Sequence, residues 1–140
     1  MSVVRAAEIF KRAHSSVFRN YGLSFPQYNV LRVLEASADG QNKISEVGRI
    51  MLVPGANMTG IAKRMEKAGF ILRKSDPSDE RVTMLEITPK GRKILKSIEE
   101  EKDEWLEVLL KGFSKRERLQ LLSVVKRLMK NTVQFARGYM

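Results

Sequence analysis

The sequence predicts a mainly α (α+β) fold that contains one β-hairpin. Apolar residues recur every three or four positions over most of the chain, and this period shortens towards two only between residues 70 and 87. Residue types that begin and end helices stand at the boundaries of these segments. With 140 residues, 43% apolar and 30% charged, the chain has the composition of one globular domain with helical extensions.

The first two elements are predicted to be helices. Apolar spacing over residues 3–21 marks one helical face, and Gly22 ends this helix. Ser24 begins the second helix, with Gln27 three residues later as its partner in a capping box. Residues 37–42 are polar and are predicted to form a turn. The predicted buried face of the second helix consists of Tyr28, Leu31 and Leu34, with Val30 and Val33 beside it.

Two short helices separated by a tight break follow. The apolar spacing predicts one helix over residues 44–51 and another over about 55–67, which ends before Gly69. Pro54 separates them because it lacks an amide proton and disfavours the helical conformation in the preceding residue. Such a pair is typical of a helix-turn-helix. The second helix is predicted to bury Met58, Ile61, Ala62 and Met65.

A β-hairpin is predicted directly behind the helix-turn-helix, over about residues 70–87. Residues 70–74 and 82–87 have strand character, and the segment 75–80 between them is dense in turn formers. The hairpin is therefore expected to have a long polar tip. A helix-turn-helix followed by such a hairpin predicts a winged helix-turn-helix over residues 23–91.

The chain is predicted to end with two long helices. Thr88 caps the first, with Pro89 at its first position, where a missing N–H has no cost, and this linking helix extends over 88–112. It runs through the apolar residues Ile94, Ile98, Trp105 and Leu109. The acidic run 99–104 is most simply a solvated helix face. Ser114 and Glu117 form a capping box for the last helix.

The first and last helices are predicted to be dimerisation helices. Residues 1–22 and 112–140 carry apolar stripes that a winged helix of this size does not need. We expect these stripes to pack against a second subunit and to form a homodimer. A monomeric helical bundle is the alternative.

The charge and the residue types that are missing restrict the function. Lys and Arg number 26 against 16 Asp and Glu, a net charge of +10, and residues 41–93 carry +5 of it. Such a surface attracts nucleic acid, although a ribosome-associated or merely soluble basic protein remains an alternative. Without Cys and with one His, neither a disulfide nor a metal site is expected, and we expect no cofactor. No apolar run is long enough for a membrane span and no signal peptide is visible, so we expect a cytoplasmic protein.

Three stretches of the chain carry recognisable motifs, namely residues 23–31, residues 64–71 and, most specifically, Asp-Pro-Ser-Asp-Glu-Arg at 76–81 followed by Leu-Glu-Ile-Thr-Pro-Lys-Gly at 85–91. These stretches resemble the MarR family of bacterial and archaeal transcriptional regulators. The last two segments are similar to the family's wing and to its entry into the next helix. Positions at which the chain departs from the family pattern are Gly48, Gly60, Ala62 and Glu80.

The resemblance implies a regulator that binds double-stranded DNA as a two-fold dimer. The recognition helix is then the second helix of the helix-turn-helix, over about residues 55–67. Its face opposite the buried one presents Asn57, Thr59, Gly60, Lys63 and Arg64. Asn57 and Thr59 suit base edges in the major groove, and the two cations suit guanine or the phosphate backbone. The alternative for each is a solvated surface residue.

The wing is predicted to supply the second DNA contact. Arg81 resembles the family's Arg that enters the minor groove, and Asp79 is expected to orient it or to hold the turn. Arg73 and Lys74 at the base of the wing are expected to contact the DNA backbone. Alternatively, Arg81 forms only a surface salt bridge with Asp79.

Members of the family commonly respond to small lipophilic or phenolic ligands, which implies an effector for this chain. The candidate pocket residues are His14, Tyr21, Tyr28 and Arg32. A lone His on an apolar helix face is more often a packing residue, so this role for His14 competes with a structural one. An enzyme is not expected, because the chain lacks a recognisable catalytic constellation. A winged helix that binds protein without specific DNA binding is the remaining alternative.

Overall fold

The computed structural model describes residues 2–139. The chain divides into two compact units, one up to Glu100 and one from Glu101 onwards. The boundary residues Met1 and Met140 of the predicted dimerisation helices lie outside the described residues. The elements in chain order are α1 (Ser2–Arg19), α2 (Phe25–Glu35), a 3₁₀ turn (Ala38–Gly40), β1 (Gln41–Lys43), α3 (Ile44–Met51), α4 (Gly55–Lys67), β2 (Ile71–Asp76), β3 (Asp79–Ile87), α5 (Pro89–Leu109) and α6 (Lys115–Tyr139).

The predicted capping box at the start of α2 is present. The backbone N–H of Gln27 donates to Ser24 Oγ at 3.3 Å, and that of Ser24 donates to Gln27 Oε1 at 3.0 Å. These two bonds satisfy donors that the first turn of a helix leaves without a partner. The residues that α2 buries are Tyr28, Val30, Leu31 and Leu34.

A short strand that the sequence did not predict completes the sheet. Residues 41–43 pair with β3 in an antiparallel ladder, and the strand order is β1-β3-β2. The prediction of a turn over residues 37–42 was therefore wrong at its end. Three polar residues carry no alternating pattern, and they become a strand only because Glu86, Leu85 and Met84 lie beside them.

The wing has longer strands and a shorter tip than predicted. Its ladder continues out to Asp76 and Asp79, so only Pro77 and Ser78 form the turn, not the whole segment 75–80. The outer part of the hairpin is largely exposed, and side chains on neither face need to be apolar there. The outer strands therefore show no alternation of apolar and polar residues from which they could be predicted.

The helix-turn-helix forms as predicted, with α3 and α4 on either side of a turn. Gly48, which departs from the family pattern, lies where a Cβ would come within 2.9 Å of Met58 Cγ and 3.1 Å of the Val53 carbonyl oxygen. A glycine at this position therefore permits the close approach of α3 to the turn and α4. Packing therefore explains this departure from the family pattern.

Leu52 occupies the turn in a left-handed conformation, with φ at 57°, although its side chain is 84% exposed. This conformation is unfavourable for a residue with a Cβ, and little buried area offsets it. We expect Leu52→Gly to raise the free energy of unfolding by up to about 1 kcal/mol, measured by denaturant titration. Leu52→Ala is the control, because it removes most of the exposed side chain and retains the strained backbone. Equal stability of the two variants would contradict this account.

The core of the first unit joins α1 to α5 through the sheet. Fully buried side chains come from seven elements, and the largest are Phe18, Val30, Leu31, Leu34, Val47, Met58, Met65, Ile71, Leu85 and Ile98. On α5 the buried stripe is Gly91, Leu95 and Ile98. Ile94 is half-buried beside this stripe, since Gly91 is the residue that meets the backbone of Phe70. Leu109, near the end of α5, is exposed.

In the second unit, Ser114 caps α6 by accepting a hydrogen bond from the Glu117 N–H at 3.1 Å. Arg118 joins α6 to the end of α5 through an ion pair with Glu107 at 3.0 Å. Within residues 2–139, no helix is both long and apolar enough to cross a bilayer. Apolar side chains that α6 exposes are Leu119, Leu121, Leu122, Val124, Val125, Leu128, Met129, Val133 and Phe135, and those that α1 exposes are Val3, Val4, Ile9 and Phe10.

Candidate nucleic-acid interface

Helix α4 has one apolar face and one polar face. Its buried residues are the four predicted from the sequence, namely Met58, Ile61, Ala62 and Met65. Because that face is fixed in the core, the opposite face points to solvent. The side chains exposed there are Asn57, Thr59, Lys63 and Arg64, and Gly60 between them is half-buried.

The first turn of α4 begins at Pro54, whose carbonyl accepts from the N–H of Asn57 at 3.0 Å and from that of Met58 at 3.1 Å. The hydroxyl of Thr59 donates back to the Gly55 carbonyl at 3.3 Å. Since a phosphate oxygen only accepts hydrogen bonds, Thr59 can bind phosphate only by giving up this bond. Its methyl group and its acceptor capacity remain available, which favours a base-edge role over a backbone role.

Gly60 lies beside the Arg64 guanidinium. A Cβ at position 60 would lie 3.4 Å from Arg64 Nη1, which a flexible side chain can accommodate. Packing within the chain therefore does not require glycine at this position. At Gly55 a Cβ would meet open space.

The tip of the wing is organised by two carboxylates. Asp76 accepts from the backbone N–H of Ser78 at 2.9 Å and from its hydroxyl at 2.7 Å, which closes the turn. Asp79 accepts from the backbone N–H and Nε of Arg81 at 3.1 Å and from Nη2 at 3.2 Å. Hydrogen bonds from Ser78 lower the pKa of Asp76, and those from Arg81 lower the pKa of Asp79. Arg81 is nevertheless 90% exposed, so the carboxylate orients a guanidinium that remains accessible.

The two cations at the base of the wing are both paired. Lys74 Nζ lies 3.0 Å from Glu86 Oε2 across the hairpin, and Arg73 Nε lies 3.1 Å from Glu66 Oε1 on α4. Lys43 was not predicted to belong to this site, yet its positive charge contributes to the lowered pKa values of both tip carboxylates. It was missed because β1, which brings residues 41–43 beside β3, was not predicted.

Three of the four predicted effector residues, His14, Tyr21 and Tyr28, are wholly or partly buried. His14 is buried, and its Nδ1–H donates to the Phe10 carbonyl at 2.8 Å. The ring centroids of His14 and Phe10 lie 3.9 Å apart. Tyr28 stacks on Phe18 with 4.1 Å between the ring centroids. Tyr21 is half-buried.

Tyr28 and Arg32 are brought together by a residue that the sequence did not single out. The hydroxyl of Tyr28 and Nη1 of Arg32 both donate to Glu99 Oε1, at 2.9 Å and 2.7 Å. Glu99 belongs to the acidic run that was predicted to be a solvated face, and for this residue the prediction was wrong. The sequence carries no signal for the contact, since 71 positions separate Tyr28 from Glu99.

Burial, together with the hydrogen bond to the Glu99 carboxylate, raises the pKa of Tyr28 to about 12. Because the folded state holds this proton more tightly than the unfolded state, its contribution to stability is complete below pH 10 and is lost as the pH rises towards 12. We expect tyrosinate absorbance to show a step near pH 12, and Tyr28→Phe to remove that step. Loss of an earlier step in Tyr28→Phe would contradict the assignment.

Known proteins with a similar sequence or structure also support a winged helix-turn-helix in this chain. Residues 21–82 match the sequence profile of the MarR family. The transcriptional regulator SlyA, a solved structure, superposes with a TM-score of 0.83 at 25% identity and covers 100% of both chains. Residues 21–82 are therefore similar to the MarR family, and the whole chain shares the fold of the SlyA structure.

Among curated relatives, the HTH-type transcriptional regulator TtmR of Methylorubrum extorquens is 35% identical over 65% of this chain. MhqR of Bacillus subtilis is 25% identical over 91% of each chain. The chain spans about half the length of the first curated relatives that it matches, with 46% for TtmR. All three proteins are named as transcriptional regulators, which agrees with the prediction that the chain is not an enzyme.

Proposed function

We propose that the protein is a sequence-specific transcriptional regulator that binds double-stranded DNA. The observation that carries this proposal is the polar face of α4, which projects Asn57, Thr59, Lys63 and Arg64 into solvent while the opposite face is locked in the core. The wing, which follows α4 in the chain, exposes Arg81 in an orientation held by Asp79. In this proposal α4 enters the major groove, and Arg81 enters the adjoining minor groove.

The protein acts as a homodimer on a pseudo-palindromic operator. Support comes from the apolar side chains that α1 and α6 expose, which are too numerous for an isolated soluble chain. A two-fold dimer would present two recognition helices to successive major grooves. We place this regulator in the cytoplasm, where it meets DNA.

The regulator is a repressor that a small lipophilic or phenolic ligand releases from DNA. The candidate ligand residues remain His14, Tyr21, Tyr28 and Arg32. Aromatic surroundings at His14 and Tyr28 and the guanidinium of Arg32 suit a ligand with a ring and an acidic group. An increase in the dissociation constant for DNA on addition of salicylate, as a model phenolic acid, tests this part.

The DNA-binding proposal is tested by selecting duplexes from a random library and titrating the selected duplex at several salt concentrations. We expect log K to fall steeply and linearly with log salt, because bound phosphates release counterions. A shuffled duplex of the same composition serves as the non-specific reference. Weak binding of both duplexes at low salt would instead support a winged helix that binds protein.

Asn57→Ala tests the orientation of α4 in the groove. Asn binds adenine bidentately, so its loss is expected to relax sequence preference at one position in each half-site by about 1–3 kcal/mol. Repeating the selection with the variant measures this preference. An unchanged preference at every position would reject Asn57 as a base contact.

A further inference from the structure

Arg73 is placed differently from the other cations of the wing. Its Nε lies 3.1 Å from Glu66 Oε1, and its backbone N–H donates to Glu66 Oε2 at 3.2 Å. The carboxylate therefore binds both the side chain and the main chain of one residue. Only 28% of the Arg73 side chain is exposed, against 90% for Arg81. A guanidinium held in this way is poorly available to phosphate.

The contact joins the recognition helix to the wing. Glu66 is the next-to-last residue of α4, and Arg73 lies on β2 at the edge of the sheet. In an edge strand, alternate backbone groups face away from the neighbouring strand and need another partner. The carboxylate of Glu66 supplies that partner for Arg73.

Glu66 is bound at the end of α4 that lies farthest from the first turn. At this end the Phe70 N–H bonds to the Met65 carbonyl at 3.0 Å, and the Thr88 hydroxyl bonds to the Gly69 carbonyl at 2.6 Å. Asn57 lies nine positions before Glu66, or about 14 Å along the axis at the rise of an α-helix. A small change in helix angle at Glu66 therefore moves Asn57 by a large fraction of a hydrogen-bond length.

We infer that Glu66 and Arg73 are positioning residues, which set the angle between the recognition helix and the wing and so determine sequence discrimination. This inference rests on the proposed DNA-binding function. It replaces the predicted role of Arg73 as a contact to the DNA backbone. Arg73 acts through Glu66 and not by touching the nucleic acid.

For the effect of Glu66→Gln on DNA binding, a positioning role predicts the opposite of what the loss of charge alone predicts. Removing a negative charge near DNA normally strengthens binding to every sequence. If Glu66 positions α4, however, Glu66→Gln weakens binding to the selected duplex relative to the shuffled one. We expect this ratio to fall about tenfold, since one misplaced base contact has an effect of that order.

Arg73→Gln is expected to lower the ratio by a similar factor, with the slope of log K against log salt unchanged. The double variant is expected to lose no more than either single variant, because both substitutions break the same link. All measurements are made at a temperature at which circular dichroism shows each variant fully folded. Loss of global stability therefore cannot account for a changed ratio.

Glu86→Gln is the matched control. Glu86 also pairs with a cation of β2, Lys74, but this pair lies within the hairpin and does not reach α4. Its removal is expected to leave the ratio unchanged and to raise affinity for both duplexes slightly.

Two outcomes overturn the inference while the proposed function stands. One is a Glu66→Gln variant that binds both duplexes more tightly with an unchanged ratio. The other is an Arg73→Gln variant whose salt slope falls by about one while Glu66→Gln behaves as wild type, which would make Arg73 a phosphate contact. Failure of the wild-type protein to bind any duplex overturns both the function and the inference.

Discussion

Arg81→Ala is expected to weaken binding to the selected duplex by about tenfold and to reduce the slope of log K against log salt by about one. The guanidinium is 90% exposed although Asp79 orients it, so it can enter a narrow minor groove. The thermal midpoint is expected to stay nearly constant, because an exposed ion pair contributes little to stability. Fluorescence anisotropy at several salt concentrations measures the first effect, and differential scanning calorimetry measures the second.

The control for Arg81 is Lys96→Ala, which removes one positive charge from an exposed position on α5. Lys96 is paired loosely with Glu100 at 4.0 Å and belongs to neither the wing nor the recognition helix. We expect its salt slope to match that of the wild type. A loss of folding stability in Arg81→Ala as large as its loss of DNA affinity would mean that Arg81 serves only to hold the turn.

Gly91→Ala is expected to destabilise the first unit by about 3 kcal/mol. Gly91 is buried in the first turns of α5, where a Cβ would overlap the Phe70 carbonyl oxygen and come within 2.9 Å of Ile87 Cγ1. The overlap with Phe70 involves backbone, so it can be relieved only by moving α5 away from the wing. The thermal midpoint should fall by about 10 °C, which scanning calorimetry measures.

Gly138→Ala provides the comparison within a helix. A Cβ at this position of α6 meets nothing within 4 Å, so alanine adds helix propensity without a clash. Its midpoint is expected to be unchanged or slightly raised. A similar loss of stability in both variants would show that the close approach at Gly91 is not the cause.

Several side-chain roles depended on pairings that lie far apart in the chain. Glu99 was assigned to a solvated face, yet it binds Tyr28 and Arg32 across 71 and 67 positions. The pattern of residues 99–104 gives no sign of this, because the spacing of an acidic run records only which residues share a helix face. Similarly, the carboxylate partner of Arg73 lies on another element. The sequence therefore showed a cation at the wing but not its ion pair with Glu66.

What the sequence by itself determined was the series of helices and the buried face of α4. Helix caps such as Ser24, helix breaks such as Pro54 and an apolar period near 3.6 residues act within one or two turns. Their effect can therefore be predicted without the rest of the chain. The tertiary structure alone decided that residues 41–43 form a strand, that the wing ladder continues to Asp76 and Asp79, and that α5 turns Gly91 towards Phe70. Each of these depends on a partner brought close by folding, and local hydrophobic periodicity contains no information about that partner.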